Sequence, residues 1–303
     1  MTGASILNFI LSQTDKNSND TAYRALALSW LKLVIKDIAG RQDNFHWRFL
    51  EVREKLVELT ADTFSYDLAT IAADFDTTKA LTVYDKINDI PLDFIDYMRF
   101  KQLIADETIN SGDATMYTIF ANALLLFPVP DFDAITGTAD GTTANKLVDS
   151  TATFITDGVK VGMRATDTVS GQTAIITALD SETTLSLDTD IFVATEPYSI
   201  KSNIYLDYVK VITAPADDAT ALLIPDKYEK VVIDGVLEWA YGFEPTLGSK
   251  AEKKLDYEAG IQRMINENGQ IISENKRPVS HRMKHFGSNE LNEQEFPLDR
   301  SAF

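Results

Sequence analysis

The sequence predicts an α+β protein: an α-helical bundle made of N- and C-terminal helices, a small antiparallel β region, and an inserted all-β domain of barrel or sandwich type. Three observations carry this. Helical patterns open the chain and close its patterned part, short β-type runs lie between them, and over residues 135–202 the composition turns sharply toward Thr, Asp, Gly and Ala. The expected organisation is a core of residues 1–134 and 203–269, an inserted β domain at 135–202, and an extended C-terminal arm at 270–303.

Ser5–Ser12 reads as a short amphipathic helix. Asn17-Ser18-Asn19-Asp20 then offers several N-caps for a second one. In it Tyr23, Leu26, Trp30 and Leu33 fall on one helical stripe and Ala27, Leu31, Val34 and Ile38 on its neighbour, so a wide face is expected to be buried before Gly40 ends the helix. From Val52 the pattern becomes β-like, with runs at Leu56–Thr60, Ala80–Tyr84, Met116–Phe120 and Leu124–Phe127. A short helix is expected over Asp96–Ala105.

In the Thr- and Gly-rich stretch, Asp140-Gly141, Asp157-Gly158 and Ser170-Gly171 are turn signals. Strands are expected at Met163–Thr168, Thr173–Ala178 and Thr183–Leu187. Ala174, Ile176 and Ala178, and then Leu185 and Leu187, alternate with the period of two of a half-buried strand. Tight turns are placed at Val169–Gln172 and Leu179–Glu182.

A further strand is expected at Ile204–Val211. Pro225-Asp226 then makes a favourable first turn for a helix reaching about Phe243, with Val232, Val236, Trp239, Ala240 and Phe243 on its buried side. Ser249 and Glu252 form a capping box for the last helix, whose apolar positions Leu255, Ala259 and Ile265 run to Asn268-Gly269. Periodicity then stops, and the four basic residues Lys276, Arg277, Arg282 and Lys284 follow.

Charge and composition exclude several function classes. With 28 Lys+Arg against 46 Asp+Glu the net charge is −18, which leaves little cationic surface for neutralising phosphates. There is no cysteine, hence no disulfide, thiolate metal site or Cys nucleophile. The first residues, Met1–Ser5, lack a basic signal-peptide start, and the longest apolar stretch, Ala25–Ala39, carries Lys32 and Lys36 and falls short of a membrane span. No membrane association is expected.

No catalytic constellation emerges, and no enzyme, cofactor or metal site is expected. His281 and His285 stand four apart without the glutamate of a zinc-protease motif, and His46 sits among aromatics in Phe45-His46-Trp47. Asp188-Thr189-Asp190 lacks the later ligands and glycine of a calcium loop. Neither a phosphate-binding glycine loop nor a Gly-x-Ser-x-Gly elbow is present.

The order of elements is more informative. A helix pair, the junction Phe45-His46-Trp47, the turn Tyr66-Asp67-Leu68, the short helix around Tyr97-Met98-Arg99-Phe100 and the step Phe127-Pro128-Val129-Pro130-Asp131 follow one another. After the interruption come Tyr205–Val211, Leu223-Ile224-Pro225-Asp226-Lys227-Tyr228 and the helix through Leu255–Met264. This order resembles the head-to-tail adaptor (connector) proteins of tailed bacteriophages, of podovirus-like type, over both sides of the insertion. Ala69 stands where the family usually has proline after the Tyr-Asp-Leu turn.

The resemblance implies a structural virion protein at the head–tail junction, assembled in the host bacterial cytoplasm. It implies a homo-oligomeric ring of twelve subunits that docks on the portal, extends the DNA channel and carries the tail nozzle and fibres. Genomic DNA would pass without sequence-specific binding. It further implies a portal-docking arm at the C-terminus, with Lys276, Arg277, Arg282, Lys284 and Phe286 as its docking residues. The alternative is a carbohydrate-binding or carbohydrate-cleaving virion protein; it calls for exposed aromatics on the insert, which has only Phe154, Phe192 and Tyr198, one or two of them needed for its own core.

Overall fold

The Asp20 carboxylate accepts the Tyr23 N–H at 2.9 Å and so starts a twenty-residue helix at Thr21, which ends at Gly40 as the sequence predicts. The computed structural model describes residues 1–17, 19–42, 45–105 and 111–271. In chain order the elements begin with α1 (Gly3–Gln13), α2 (Thr21–Gly40), β1 (Phe45–Trp47), β2 (Glu51–Glu58), β3 (Ser65–Asp67) and the single turn α3 (Leu68–Ile71). Next are β4 (Thr82–Asp85), β5 (Ile90–Pro91), β6 (Asp93–Phe94), α4 (Tyr97–Ala105), β7 (Met116–Phe120) and β8 (Ala123–Phe127). The Thr-rich stretch forms β9 (Ile135–Thr138), β10 (Lys146–Val148), β11 (Arg164–Asp167), β12 (Thr173–Ser181), β13 (Thr184–Leu187) and β14 (Pro197–Lys201). The chain then returns through β15 (Asn203–Val209), α5 (Glu229–Phe243), α6 (Lys250–Asn268) and β16 (Gly269–Ile271).

The protein is therefore mixed α+β. Helices α1, α2, α5 and α6 share one apolar cluster in which Ile6, Leu31, Val232, Val236, Ile261 and Met264 are buried. Two glycines set how closely α2, α5 and α6 approach. A Cβ on Gly235 would stand 2.9 Å from both Val34 and the Tyr257 ring, and one on Gly260 would stand 2.8 Å from Val231. Polar ties lie at the rim: the Tyr257 hydroxyl donates to Asp37 at 2.8 Å, and Arg41, the residue that caps α2, pairs with Glu258 on α6 at 2.7 Å. Burial, followed by the hydrogen bond to Asp37, pushes the Tyr257 hydroxyl well above the ordinary tyrosine range.

Several side chains expected in this core are outside it. Leu33, Trp239, Phe243 and Leu255 are 43%, 45%, 59% and 72% exposed. On α6 the buried stripe is Tyr257, Ile261 and Met264, spaced four and three, so Leu255 and Ala259 fall on another face while Ile265 packs at the margin. On α5 the buried stripe also takes Val231, Gly235 and Leu237, which turns Trp239 and Phe243 outward.

Two four-stranded sheets, in the orders β2-β15-β4-β5 and β3-β8-β7-β6, share a second cluster. Val57, Val83, Ile204 and Leu206 of the first sheet and Tyr66, Tyr117, Leu124 and Leu126 of the second fill it. The central strand β15 pairs with β2 on one side and β4 on the other, both antiparallel. The expected strands shift at their ends: Leu56–Thr60 is the end of the longer β2, Ala80–Tyr84 becomes β4, and Ile204–Val211 becomes β15.

Strands β9–β14 form a six-stranded sheet in the order β10-β13-β12-β11-β14-β9, around its own cluster of Leu147, Phe154, Ala165, Ile176, Leu185 and Ile200. The expected turn at Leu179–Glu182 is displaced because β12 runs on to Ser181 through two register shifts opposite β13. The sequence reading also leaves out the edge strands β9 and β10 and the strand β14 between β11 and β9. Phe154, Phe192 and Tyr198 all belong to this cluster and are 0%, 3% and 2% exposed, so none of them forms an outward sugar-binding face. The alternating burial of Asp167 carries its carboxylate inward, where the Ser170 hydroxyl and the N–H groups of Val169 and Ser170 donate to it.

Candidate interface surfaces

Among the described residues, no group of three or more His, Asp or Glu is placed to hold a metal ion. His46 lies 3.0 Å from Glu51 through its Nε2, a structural pair between β1 and β2. Asp188 accepts the Ile175 N–H at 2.8 Å and Asp190 accepts the Asn145 N–H at 3.1 Å, so both carboxylates serve the backbone of the six-stranded sheet. No described helix is long and apolar enough to cross a membrane. His281, His285 and the sequence-predicted docking residues Lys276, Arg277, Arg282, Lys284 and Phe286 lie outside the described residues.

The surfaces with chemical character are of three kinds. The first belongs to the helices: Leu33, Trp239, Phe243 and Leu255 stand outward on α2, α5 and α6. Phe243 is tilted against Trp30 with ring centroids 5.7 Å apart, and the Lys250 ammonium lies 5.9 Å from the centre of the Trp239 ring. These rings are held in place yet remain half open to solvent. An isolated exposed apolar residue is ordinary, but several on one set of packed helices favour a protein contact.

The second surface is α4. Its inner side drops Phe100 into a small cluster with Leu125 and Phe127 on the face of β8 opposite the sheet core. Around it the Tyr97 and Phe120 rings stack at 3.7 Å, while Phe94, Met98 and Phe120 are 41%, 66% and 48% exposed. The helix carries Arg99 and Lys101 and no acidic residue. Both cations are exposed, and neither forms an ion pair among the described residues.

The third surface is an open concavity of about 420 Å³ lined by Glu54, Tyr84, Lys86, Asp89, Tyr205 and Asp207. A bulge makes it: the β15–β2 register shifts between Leu206 and Tyr208, Glu54 takes a φ of 55°, and its N–H donates to Asp207 at 2.7 Å. Lys86 pairs with Glu54 at 2.7 Å and lies 4.5 Å from the centre of the Tyr205 ring. The Tyr84 hydroxyl donates to Asp89, and that bond is the first cause that raises its pKa above the ordinary tyrosine value.

The comparison with known families gives the context of these surfaces. The family profile of the SU10 adaptor protein matches residues 1–282. The chain belongs to the SU10 adaptor family. Membership makes it a bacteriophage adaptor with a structural role at the head–tail junction, in an oligomer associated with portal and tail components. No curated protein matches the chain in sequence. The resemblance read from the order of motifs is thus upheld at the level of the adaptor family.

Sequence reasoning passed over the surfaces on α4 and on the outer face of β15. A usable signal existed for α4: Tyr97-Met98-Arg99-Phe100-Lys101 combines aromatic, thioether and basic side chains without a carboxylate, in a chain of charge −18. The concavity had none, because it depends on pairing β2 with a strand about 150 residues away.

Proposed function

We propose that this adaptor forms a closed ring, of twelve copies by family resemblance, that docks on the portal, lengthens the DNA channel and presents a platform to the tail nozzle and fibres, without enzymatic activity. The observation that carries this reading, besides family membership, is the set of outward apolar side chains on otherwise well-packed helices, Leu33, Trp239, Phe243 and Leu255. A ring joins unlike patches on neighbouring subunits, and it closes when the rotation between them closes. Apolar helix faces supply the area such a contact needs.

Residues 135–202 act in this reading as an inserted β domain directed away from the channel, since a domain pointing inward would obstruct DNA. The arm at 270–303 reaches the portal through Lys276, Arg277, Arg282, Lys284 and Phe286. The charge of −18 keeps DNA mobile, because phosphate binding draws its affinity from counterion release at cationic side chains. A pull-down with purified portal protein tests the arm. The variant with all four basic residues changed to Ala should lose portal binding while retaining the wild-type circular dichroism spectrum; undiminished binding would remove the arm from the account.

A further inference from the structure

We propose that α4 of one subunit docks on the outer face of the β2-β15-β4-β5 sheet of the next, with Arg99 and Lys101, which flank the outward Met98, reaching the Tyr84–Asp207 concavity from either side. The proposal rests on the ring reading and names the residues of one of its contacts.

Placement is the first argument. Strand alternation puts Val83, Ile204 and Leu206 in the core shared by the two four-stranded sheets, so Tyr84, Tyr205 and Asp207 face outward from the first sheet. In the second sheet Tyr117, Leu124 and Leu126 face the same core, and Leu125 and Phe127 face outward beneath α4. The helix and the concavity therefore lie on opposite outer faces of one two-sheet sandwich. A head-to-tail contact between copies requires two unlike surfaces on opposite flanks, and a two-fold dimer does not.

Complementarity is the second argument. α4 presents Arg99 and Lys101 with no acidic residue, whereas the concavity holds Glu54, Asp89 and Asp207 against the single cation Lys86. Lys86 already pairs with Glu54, and Asp89, which accepts the Tyr84 hydroxyl, and Asp207, which accepts the Glu54 N–H, have no ion-pair partner among the described residues. Tyr84 supplies a ring face, for which an arginine or a methionine is a favourable partner, while Lys86 already lies over the Tyr205 ring, and Met98 precedes Arg99. The concavity also has room for side-chain ends without deforming the sheet, at about 420 Å³. A second copy of the chain is the occupant that this charge pattern selects: the basic helix and the concavity, whose lining carries three carboxylates against one ammonium, are both present on every subunit.

The absence of cysteine makes the test direct. Met98 is exposed on α4, and Thr82 is exposed opposite Asp207 in the β15–β4 register. Chains carrying Met98→Cys, Thr82→Cys, or both are assembled on purified portal protein, treated with a short bismaleimide and resolved on denaturing gels. The double variant should give a ladder of multimers, the mixed single variants dimers only, and each single variant alone monomers. Rings visible by microscopy that give no ladder overturn this contact and leave the ring reading standing; no rings in any sample, wild type included, overturns both. As a second measurement, Arg99→Glu with Lys101→Glu should lower ring yield at least tenfold, and adding Asp89→Lys with Asp207→Lys should restore it. Failure of the restoration in folded protein contradicts the assigned pairing.

Discussion

The Tyr198 hydroxyl donates to Asp149 at 2.8 Å inside the six-stranded sheet, joining β14 to the turn that follows β10. Both residues are buried, and Asp149 also accepts the N–H and hydroxyl of Thr151. Gly137 lies opposite Tyr198 in the β14–β9 register, and a Cβ there would come within 2.6 Å of the Asp149 carboxylate. The bond and the glycine are thus one arrangement: a backbone close enough to cover a polar pair that the apolar cluster surrounds.

Tyr198→Phe should lower stability by about 1–3 kcal/mol, the cost of leaving one buried polar group with one partner fewer. Gly137→Ala should be at least as damaging, since the added methyl has no space. Urea denaturation followed by tyrosine fluorescence checks both, and a loss below about 0.5 kcal/mol for either would contradict the arrangement.

Acid stability should depend on Asp149 and Asp167. For Asp149, burial works to raise the pKa, but hydrogen bonds from Thr151, Tyr198 and Ala152 outweigh it and hold the carboxyl below its usual range. For Asp167, the Ser170 hydroxyl lowers the pKa first, against a smaller opposing effect of burial. A folded-state pKa below the unfolded one stabilises the protein above the unfolded value, about 4, and that stability is lost as pH falls through the folded value. Melting temperatures should therefore hold at pH 5 and above, roughly one unit over that value, and fall below it. Asp167→Asn should make the acid limb shallower, which thermal melts against pH would show.

Gly235→Ala should destabilise the helical core despite the better helix propensity of alanine. Propensity favours the change by about 1 kcal/mol. The new methyl would meet Val34 and Tyr257 at 2.9 Å, and overpacking of this kind costs about 1–3 kcal/mol. A lower melting temperature is expected, and a higher one would mean that α2 and α6 can move apart freely.

Phe243→Glu and Leu255→Glu separate assembly from folding. Leu255 is 72% exposed, so its change should alter monomer stability by no more than about 0.5 kcal/mol, while Phe243→Glu also gives up the ring contact with Trp30 and should cost about 1 kcal/mol. Ring formation on portal should fall sharply, and normal rings from both variants would remove the helical surface from the subunit contact.

These residues also show what the sequence could disclose. Asp20 and Ser249 act as the caps their positions promise, each accepting an N–H three residues on. Local signals were enough for that. Leu255 and Trp239 were expected inward because periodicity marks apolar positions but not which apolar positions an assembly reserves for contact outside the chain. Strands β9, β10 and β14 are short, and they are recognised only by partners elsewhere in the sheet, such as Tyr198 opposite Gly137. The pairing of Phe45 with Ile271 is further still from any local pattern. Order of motifs therefore revealed the family, while the concavity beside β15 required the pairing of distant strands.

The central claim is a ring built on the portal. Electron microscopy of the purified chain, alone and mixed with purified portal protein, tests it most directly. Closed rings of this chain, stacked coaxially on portal particles with an open central channel, are expected. Portal particles that remain bare at saturating concentrations of folded chain would contradict it.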